Sequence, residues 1–260
     1  MIAISELGRI DLADEEIGQE RYKENELVKA KPTTGKKHRA ESQTVDQEQP
    51  RSVDDLLIVA IGASAGGIEA FTDLMSSLPA DTGMAFVLIQ HLDPHHHSLL
   101  TELISKKTSM QAKEVTDGMT IERNHVYVIP PNATMSISNH TLHLGPREES
   151  RVAQVPIDHF MRSLAEDHGN RAIGVILSGT GSDGTLGMAE IQAQGGVTFA
   201  QDNASAKCDG MPRSAVAAGF VDYILSPKGI ARELPPASGN GVQGSGKESI
   251  SITHPSIPHI

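Results

Sequence analysis

Ser64 is the residue that the sequence places best for nucleophilic chemistry. The segment Gly62-Ala63-Ser64-Ala65-Gly66 follows an apolar run and matches the G-x-S-x-G pattern of a serine on a sharp strand-to-helix turn. The flanking glycines allow a tight backbone and leave the hydroxyl uncrowded. N–H groups at a helix start can stabilise a developing oxyanion. We therefore predict Ser64 as the nucleophile and the N–H groups around Ala65, Gly66 and Gly67 as oxyanion donors.

Two further residues could complete a catalytic triad with Ser64. His91 follows the second predicted strand and Asp183 follows the third. Because parallel strands carry their sites beyond their carboxyl ends, all three side chains are expected at one edge of the sheet. Histidine suits the role of base near neutral pH, and a carboxylate fixes its tautomer. The chain order Ser, His, Asp differs from the Ser, Asp/Glu, His order of α/β-hydrolases and indicates another lineage.

Other assignments of these roles stay open at this level. Asp93 and Asp158 compete with Asp183 for the role of acid. Asp183 could also serve only as a cap for the helix that starts at Gly184. The chain has 12 histidines, so one near a strand end can be incidental. Cys208 lies in a polar loop with no evident base and is disfavoured as a nucleophile.

Two ligand-binding hypotheses compete with the hydrolase reading. His95-His96-His97 suggests a metal, but consecutive side chains cannot all point one way and no cysteine or acidic pair accompanies them. The glycine turn, residues 62–67, could cradle a phosphate, although it fails the G-x-G-x-x-G pattern and lacks a Walker lysine. We predict no metal and no organic cofactor, and keep a nucleotide-binding Rossmann-like module as an alternative.

Apolar patterns alternate between strand and helix types along residues 53–234. This alternation predicts an α/β fold, a doubly wound and mainly parallel sheet with helices on both faces and a short antiparallel hairpin turning at Asn139-His140. The expected strands are residues 56–61, 84–90, 172–177, 197–200 and 221–225, with short β-type runs at 126–129, 135–137 and 142–144. The expected helices are residues 68–79, 98–107, 157–168, 184–193, 212–218 and 227–234.

Composition limits the classes of function. The net charge of −11 argues against a general nucleic-acid binder. One cysteine excludes an intrachain disulfide framework, which is compatible with a cytoplasmic location. No apolar run approaches the roughly 20 residues of a membrane span, so no membrane insertion is expected. Residues 1–52 and 235–260 are polar and are predicted to be disordered tails around one catalytic domain, residues 53–234.

Several ordered motifs together resemble one family. Residues 61–67, 89–91, 175–184 and 210–213 are similar, in order and spacing, to the catalytic domain of bacterial chemotaxis protein-glutamate methylesterases of the CheB type. The resemblance covers about residues 57–234. It implies a triad of Ser64, His91 and Asp183. It also implies hydrolysis of γ-glutamyl methyl esters on chemoreceptors, with release of methanol, and deamidation of receptor glutamines, all as part of two-component signal transduction.

The chain also departs from the family pattern. Ala65 stands where threonine is common, and Thr180 where methionine is common. Residues 1–52 are too few and too polar for the receiver domain that many members carry, so a chain without that domain is expected. The sequences of residues 90–94 and 126–132 resemble the esterase part of longer chains that also contain a methyltransferase. A partner methyltransferase is therefore expected, and an inactive homologue acting as a signalling scaffold is the remaining alternative.

Overall fold

A seven-stranded parallel sheet forms the centre of the protein. The structure, a computed structural model, describes residues 55–90, 100–146 and 155–234. The strands are β1 Ile58–Ala63, β2 Ala85–Gln90, β3 Gln111–Glu114, β4 Met119–Thr120, β5 His125–Val128, β6 Ala133–Ser138, β7 Thr141–Pro146, β8 Ala172–Ile176, β9 Val197–Gln201 and β10 Tyr223–Leu225. The helices are α1 Gly67–Met75, α2 Leu100–Ser105, α3 Pro156–His168, α4 Thr185–Ala193, α5 Gly210–Ala217 and α6 Pro227–Glu233.

Strand β1 is buried along its whole length because it feeds a core on each face of the sheet. Ile58 and Ala60 pack in one core with residues of α3, α4 and α5. Val59 and Ile61 pack in the other core with residues of α1, α2 and α6. Side chains alternate across a strand, so a run of consecutive apolar residues is what a strand covered on both sides requires. The predicted doubly wound fold is confirmed.

The strand order creates a reversal point beside β1. The sheet runs β10-β9-β8-β1-β2-β5-β3, with β2 and β8 both parallel to β1. After β1, the chain first adds β2, β3 and β5 on one side of β1. It then crosses to the other side and adds β8, β9 and β10. Loops leaving β1 and β8 diverge at such a point and open a crevice at the carboxyl ends of the strands. Ser64 lies directly after β1 at this crevice.

The antiparallel hairpin is also confirmed. Strands β6 and β7 pair in antiparallel register around Asn139 and His140, and β4 adds to β7 to make a three-stranded sheet. Asn139 and His140 have φ of 49° and 58°. Two consecutive residues with positive φ are typical of the two-residue turn whose twist matches antiparallel strands.

Several elements differ from the sequence expectation. Strand β3 was not predicted, because Gln111–Glu114 is a short, mostly polar segment that pairs only at the sheet edge with β5. Helix α5 begins at Gly210 rather than Pro212. Proline is tolerated there because the N–H groups of the first helical turn have no intrahelical acceptor. Strand β10 is shorter than predicted and begins at Tyr223.

Some expectations concern residues that the structure does not describe. Both predicted tails, residues 1–52 and 235–260, lie outside the described ranges, as do residues 98 and 99 at the start of the second predicted helix. Within the described ranges, no helix combines the length and apolar character needed to cross a membrane.

A chain of hydrogen-bonded polar groups, in which His168 is the buried member, joins the hairpin to the end of α3. Asp167 accepts hydrogen bonds from the backbone N–H groups of Asn139 and His140, at 2.7 and 3.3 Å. His168 places Nε2 3.1 Å from His140 Nδ1 and Nδ1 3.1 Å from an Asp167 carboxylate oxygen. Burial of the ring is the main cause that lowers the pKa of His168 to about 4, and the nearby His140 and Arg171 lower it further against the opposing effect of Asp167.

The stability of the fold is expected to depend on the protonation of His168. Because the pKa is lowered from 6.5 to about 4, the ring is mostly neutral in the folded state and mostly protonated in the unfolded chain at pH values between these two. The resulting stabilisation is complete above about pH 6.5 and is lost as the pH falls towards 4, by roughly 3 kcal/mol at most. Urea unfolding at pH 7.5, 6, 5 and 4 should show this fall for wild type and a smaller fall for His168→Gln.

His143→Gln is the matched control, because His143 is exposed on the same hairpin. This variant should keep the pH slope of wild type. Equal slopes for His168→Gln and wild type would contradict the assignment of this pH dependence to His168.

Candidate functional site

The turn that carries Ser64 is held by backbone hydrogen bonds on both sides. The Ser64 N–H donates to the carbonyl oxygen of Ser178 at 3.0 Å, and the Ser64 carbonyl accepts from the Gly67 N–H at 2.9 Å. Gly66 has φ 75°, a left-handed conformation that glycine adopts without strain. A Cβ at residue 66 would lie 2.8 Å from Ser178 Oγ. The glycine is thus required both by conformation and by the closeness of Ser178.

These bonds narrow the set of oxyanion donors. The Gly67 N–H is already engaged by the Ser64 carbonyl. Within the described part of the chain, the N–H groups of Ala65 and Gly66 donate to no protein acceptor. An N–H group without an internal acceptor is available to a negatively charged oxygen. Ala65 and Gly66 are therefore the two of the three predicted residues that remain available for this role.

Ser64 opens onto a surface cleft of about 610 Å³. The cleft is lined by Ser64, Ala65, Gly66, Ile68, Glu69, Gln90 and Lys207. Lys207 forms an ion pair with Glu69, and both side chains are largely exposed. The pair joins α1 to the loop after β9 across the turn formed by residues 62–67, named the nucleophile turn after the predicted role of Ser64. Sequence reasoning gave no role to Glu69 or Lys207, since neither belongs to a motif and only the tertiary fold brings them together.

The position of the predicted base, His91, lies outside the described residues, as do Asp93 and His95-His96-His97. The strand register defines the neighbourhood before it. Gln90 at the end of β2 pairs with Ala63, the residue directly before Ser64. The described backbone therefore brings the carboxyl end of β2 beside the nucleophile turn, which is the condition that the triad hypothesis sets for this strand.

Asp183 is buried in the loop that follows β8, 6% exposed. One of its carboxylate oxygens accepts from the Ile157 N–H at 3.1 Å and the other from the Asp158 N–H at 3.0 Å. These are free N–H groups in the first turn of α3, where a negative charge is favoured. The cap hypothesis named the wrong helix: the residue that caps α4 is Gly184, without a side-chain bond, while Asp183 caps α3.

Asp158 has the reciprocal arrangement. Its Oδ1 accepts from the Gly187 N–H in the first turn of α4 at 2.7 Å. Burial raises the pKa of the Asp158 carboxyl, and the negative charge of Asp183 raises it further. The carboxylate at the start of each helix therefore accepts hydrogen bonds from N–H groups in the first turn of the other helix. This engagement gives Asp158, the competing acid candidate, a structural task at α4.

Cys208 and the residues around it serve the backbone of the site. The Cys208 N–H donates to Ser178 Oγ at 2.9 Å, and its carbonyl accepts from the Gly179 N–H at 2.9 Å. The thiol is partly buried. In the described ranges, no group of three or more His, Cys, Asp or Glu residues could hold a metal ion.

Sequence reasoning missed Ser178 and Gln201. Ser178 is fully buried and bonds the nucleophile turn through both its backbone and its side chain. Gln201 is buried at the end of β9, and its Oε1 accepts from the Ser178 N–H at 2.8 Å. The sequence did contain a partial signal for both residues. Each is a polar residue directly after an apolar strand segment, and binding sites of parallel sheets lie at the carboxyl ends of such strands.

Fold and site together define an α/β protein with a serine turn at the carboxyl edge of a parallel sheet, the arrangement expected of a hydrolase. The family model for the CheB methylesterase matches residues 59–234. The chain therefore belongs to the CheB methylesterase family, as the sequence resemblance predicted.

Individual relatives agree with this membership. A protein-glutamate methylesterase/protein-glutamine glutaminase of Pectobacterium atrosepticum is 33% identical over 199 residues, which cover 75% of this chain and 56% of that protein. An uncharacterized 104.1 kDa protein of Rhodobacter capsulatus is 44% identical over 136 residues, which cover 52% of this chain and 14% of that protein. The chain thus spans about half or less of the length of these relatives.

A solved structure gives the same result for the fold. The Thermotoga maritima CheB methylesterase catalytic domain has a TM-score of 0.63 and 27% sequence identity, and the match covers 68% of this chain and 95% of that domain. The family and the relatives' names support the methylesterase interpretation and do not favour the nucleotide-binding or scaffold alternatives.

Removing the Asp183 carboxylate is expected to destabilise the fold. Asp183→Ala leaves two N–H groups at the start of α3 without their acceptor, so the free energy of unfolding should fall by about 1–3 kcal/mol. Asp183→Asn keeps one acceptor oxygen and should fall between wild type and Asp183→Ala. Urea denaturation at pH 7 measures all three proteins.

Asp209→Ala is the matched control, because Asp209 precedes α5 as its N-cap residue but makes no side-chain cap bond. Its unfolding free energy should stay within about 0.5 kcal/mol of wild type. A loss for Asp183→Ala no larger than this would contradict the capping role.

Proposed function

We propose that this chain is a serine hydrolase that removes methyl groups from γ-glutamyl methyl esters of chemoreceptor-type proteins. The observation that carries the proposal is the Ser64 turn, which opens onto a cleft with the unpaired Ala65 and Gly66 N–H groups. Membership of the CheB methylesterase family supports the class of reaction. The name of the Pectobacterium atrosepticum relative supports the substrate and adds glutamine deamidation as a second reaction of the same site.

The proposed mechanism begins with attack on the ester carbonyl. His91 takes the proton of the Ser64 hydroxyl as the serine oxygen bonds to the carbonyl carbon. The carbonyl oxygen becomes an oxyanion, which the N–H groups of Ala65 and Gly66 bind. Asp183 holds the His91 ring in the tautomer that can accept the proton. Both Asp183 carboxylate oxygens accept from helix N–H groups, which suits a side chain that has to stay in a fixed position.

The second half of the reaction returns the enzyme. His91 gives its proton to the departing methoxide. Methanol departs, and the glutamyl carbonyl carbon stays bonded to the Ser64 oxygen as an acyl-enzyme. Water then loses a proton to His91 and attacks the acyl carbon. His91 returns this proton to the Ser64 oxygen as the acyl bond breaks, which releases the glutamate carboxyl group and restores the Ser64 hydroxyl. On a glutamine side chain, the same steps release ammonia in place of methanol. The proposal assigns the catalytic unit to residues 53–234 and uses no metal or organic cofactor.

The partners and location follow from the proposed substrate. A methyl ester on a glutamate has to be made by a methyltransferase, so an enzyme of that class is proposed as the functional partner. The methylated segment of a chemoreceptor is the proposed macromolecular substrate. The cytoplasm is the proposed location, since both partners of a methylation cycle have to reach the same receptor segment.

Replacement of the nucleophile is the direct test of the proposal. Ser64→Ala should release methanol from a methylated receptor at a rate lower by on the order of 10⁴-fold or more, because the attacking group is gone. Methanol release per enzyme molecule, with folding checked by circular dichroism, is the measurement. Turnover near that of wild type in a folded Ser64→Ala protein would reject the proposal.

Ser76→Ala is the control, because Ser76 is an exposed serine at the end of α1. It should keep wild-type turnover. An active-site serine probe adds a second readout: labelling at Ser64 should be lost in His91→Gln if His91 is the base. A folded wild type that neither labels at Ser64 nor releases methanol would favour the scaffold.

A further inference from the structure

Ser178 makes hydrogen bonds to the nucleophile turn through both its backbone and its side chain. The residue directly follows Leu177 at the carboxyl end of β8 and is 0% exposed. Its carbonyl oxygen accepts from the Ser64 N–H at 3.0 Å, and its hydroxyl donates to the Ala65 carbonyl oxygen at 2.8 Å. One residue therefore holds the backbone on both sides of the Ala65 N–H group.

The direction of the hydroxyl hydrogen follows from its partners. Ser178 Oγ also lies 2.9 Å from the Cys208 backbone nitrogen, which can only donate. The hydroxyl must use a lone pair there, and its hydrogen is left for the Ala65 carbonyl, which can only accept. Both capacities of this buried hydroxyl are used with fixed polarity.

The bond to the Ala65 carbonyl also orients the next N–H group. In a planar trans peptide, the C=O of Ala65 and the N–H of Gly66 point in opposite directions. Since the carbonyl points at Ser178, the Gly66 N–H points away from Ser178. Gly66 belongs to the lining of the cleft that Ser64 faces.

Ser178 is itself held in place by neighbouring elements. Its N–H donates to Gln201 Oε1 at 2.8 Å, and Gln201 Nε2 donates to Ser205 Oγ at 3.2 Å. The Gly66 backbone approaches the hydroxyl closely, since a Cβ on Gly66 would lie 2.8 Å from Ser178 Oγ. A group fixed on this many sides can hold the turn with little freedom of movement.

We propose that Ser178 is a positioning residue for ester hydrolysis, which acts by holding the Ala65 and Gly66 N–H groups in the direction of the oxyanion. The proposal rests on the proposed function of the Ser64 site. Oxyanion donors act by being aligned before charge develops, so their orientation affects the transition state more than substrate binding. The hydroxyl touches neither substrate nor reacting atoms and works through the backbone.

The test compares Ser178→Ala with wild type on a methylated receptor. The kcat for methanol release should fall by about 10²-fold while KM changes less than about 3-fold, as for misalignment by a fraction of an ångström to 1 Å. Ser178→Thr keeps a hydroxyl and should recover most of the lost kcat. Thermal unfolding identifies a temperature at which every variant is folded, so that loss of stability does not enter the rates.

Ser163→Ala is the control, because the Ser163 hydroxyl also makes two backbone hydrogen bonds, to Phe160 and from Ile137, but lies on α3 and bonds no part of the nucleophile turn. Its kcat should remain within about 2-fold of wild type. If Ser178→Ala does not fold, Ser178→Cys replaces it, since a thiol fills similar space but is a weak donor. A folded Ser178→Ala or Ser178→Cys protein with the kcat of wild type would overturn the proposal.

A second readout separates this inference from the proposed substrate. The rate at which a small fluorophosphonate labels Ser64 depends on the oxyanion donors but not on the receptor. Wild type that labels but releases no methanol would refute the proposed substrate alone, and slower labelling of Ser178→Ala would still support positioning. Equal labelling rates for wild type and Ser178→Ala, or no labelling of wild type at all, would overturn positioning.

Discussion

The hydrogen bond from the Ser64 N–H to the Ser178 carbonyl is the contact on which the site depends most. It joins the residue after β1 to the loop after β8, the two strands between which the sheet reverses its direction of growth. Without it, the serine would be a residue on a glycine-rich loop with many conformations. With it, the turn is attached to two neighbouring strands that are buried along their whole length, which limits the movement of the Ser64 backbone.

The reciprocal capping of α3 by Asp183 and of α4 by Asp158 connects the stability of the fold to the site in a second way. Asp183 serves the start of α3, and Asp158 serves the start of α4. Two negative groups are buried close together, which is unfavourable on its own, and the N–H groups and positive ends of both helices offset that repulsion. A carboxylate held this firmly is well suited to orient a catalytic ring. Under the proposed mechanism, changes at Asp183 are expected to alter folding and catalysis together.

Much of the fold could be predicted because its signals are local. The apolar runs of β1, β2 and β8, the helical stripe of α3 and the Asn139-His140 turn each depend on neighbouring residues in the chain. Strand β3 could not be predicted, since its polar residues form a strand only because β5 offers an edge. The start of α5 was misplaced because proline was taken as a boundary, although the third helical position tolerates it.

By itself, the sequence determined the class of fold, the family and the serine turn, because hydrophobic periodicity and glycine placement act over short distances in the chain. Tertiary structure alone decided which helix Asp183 caps, and that Ser178, Gln201 and Cys208 surround the turn. These facts depend on contacts between residues more than 20 positions apart, and such contacts follow from the packing of whole elements rather than from any local pattern.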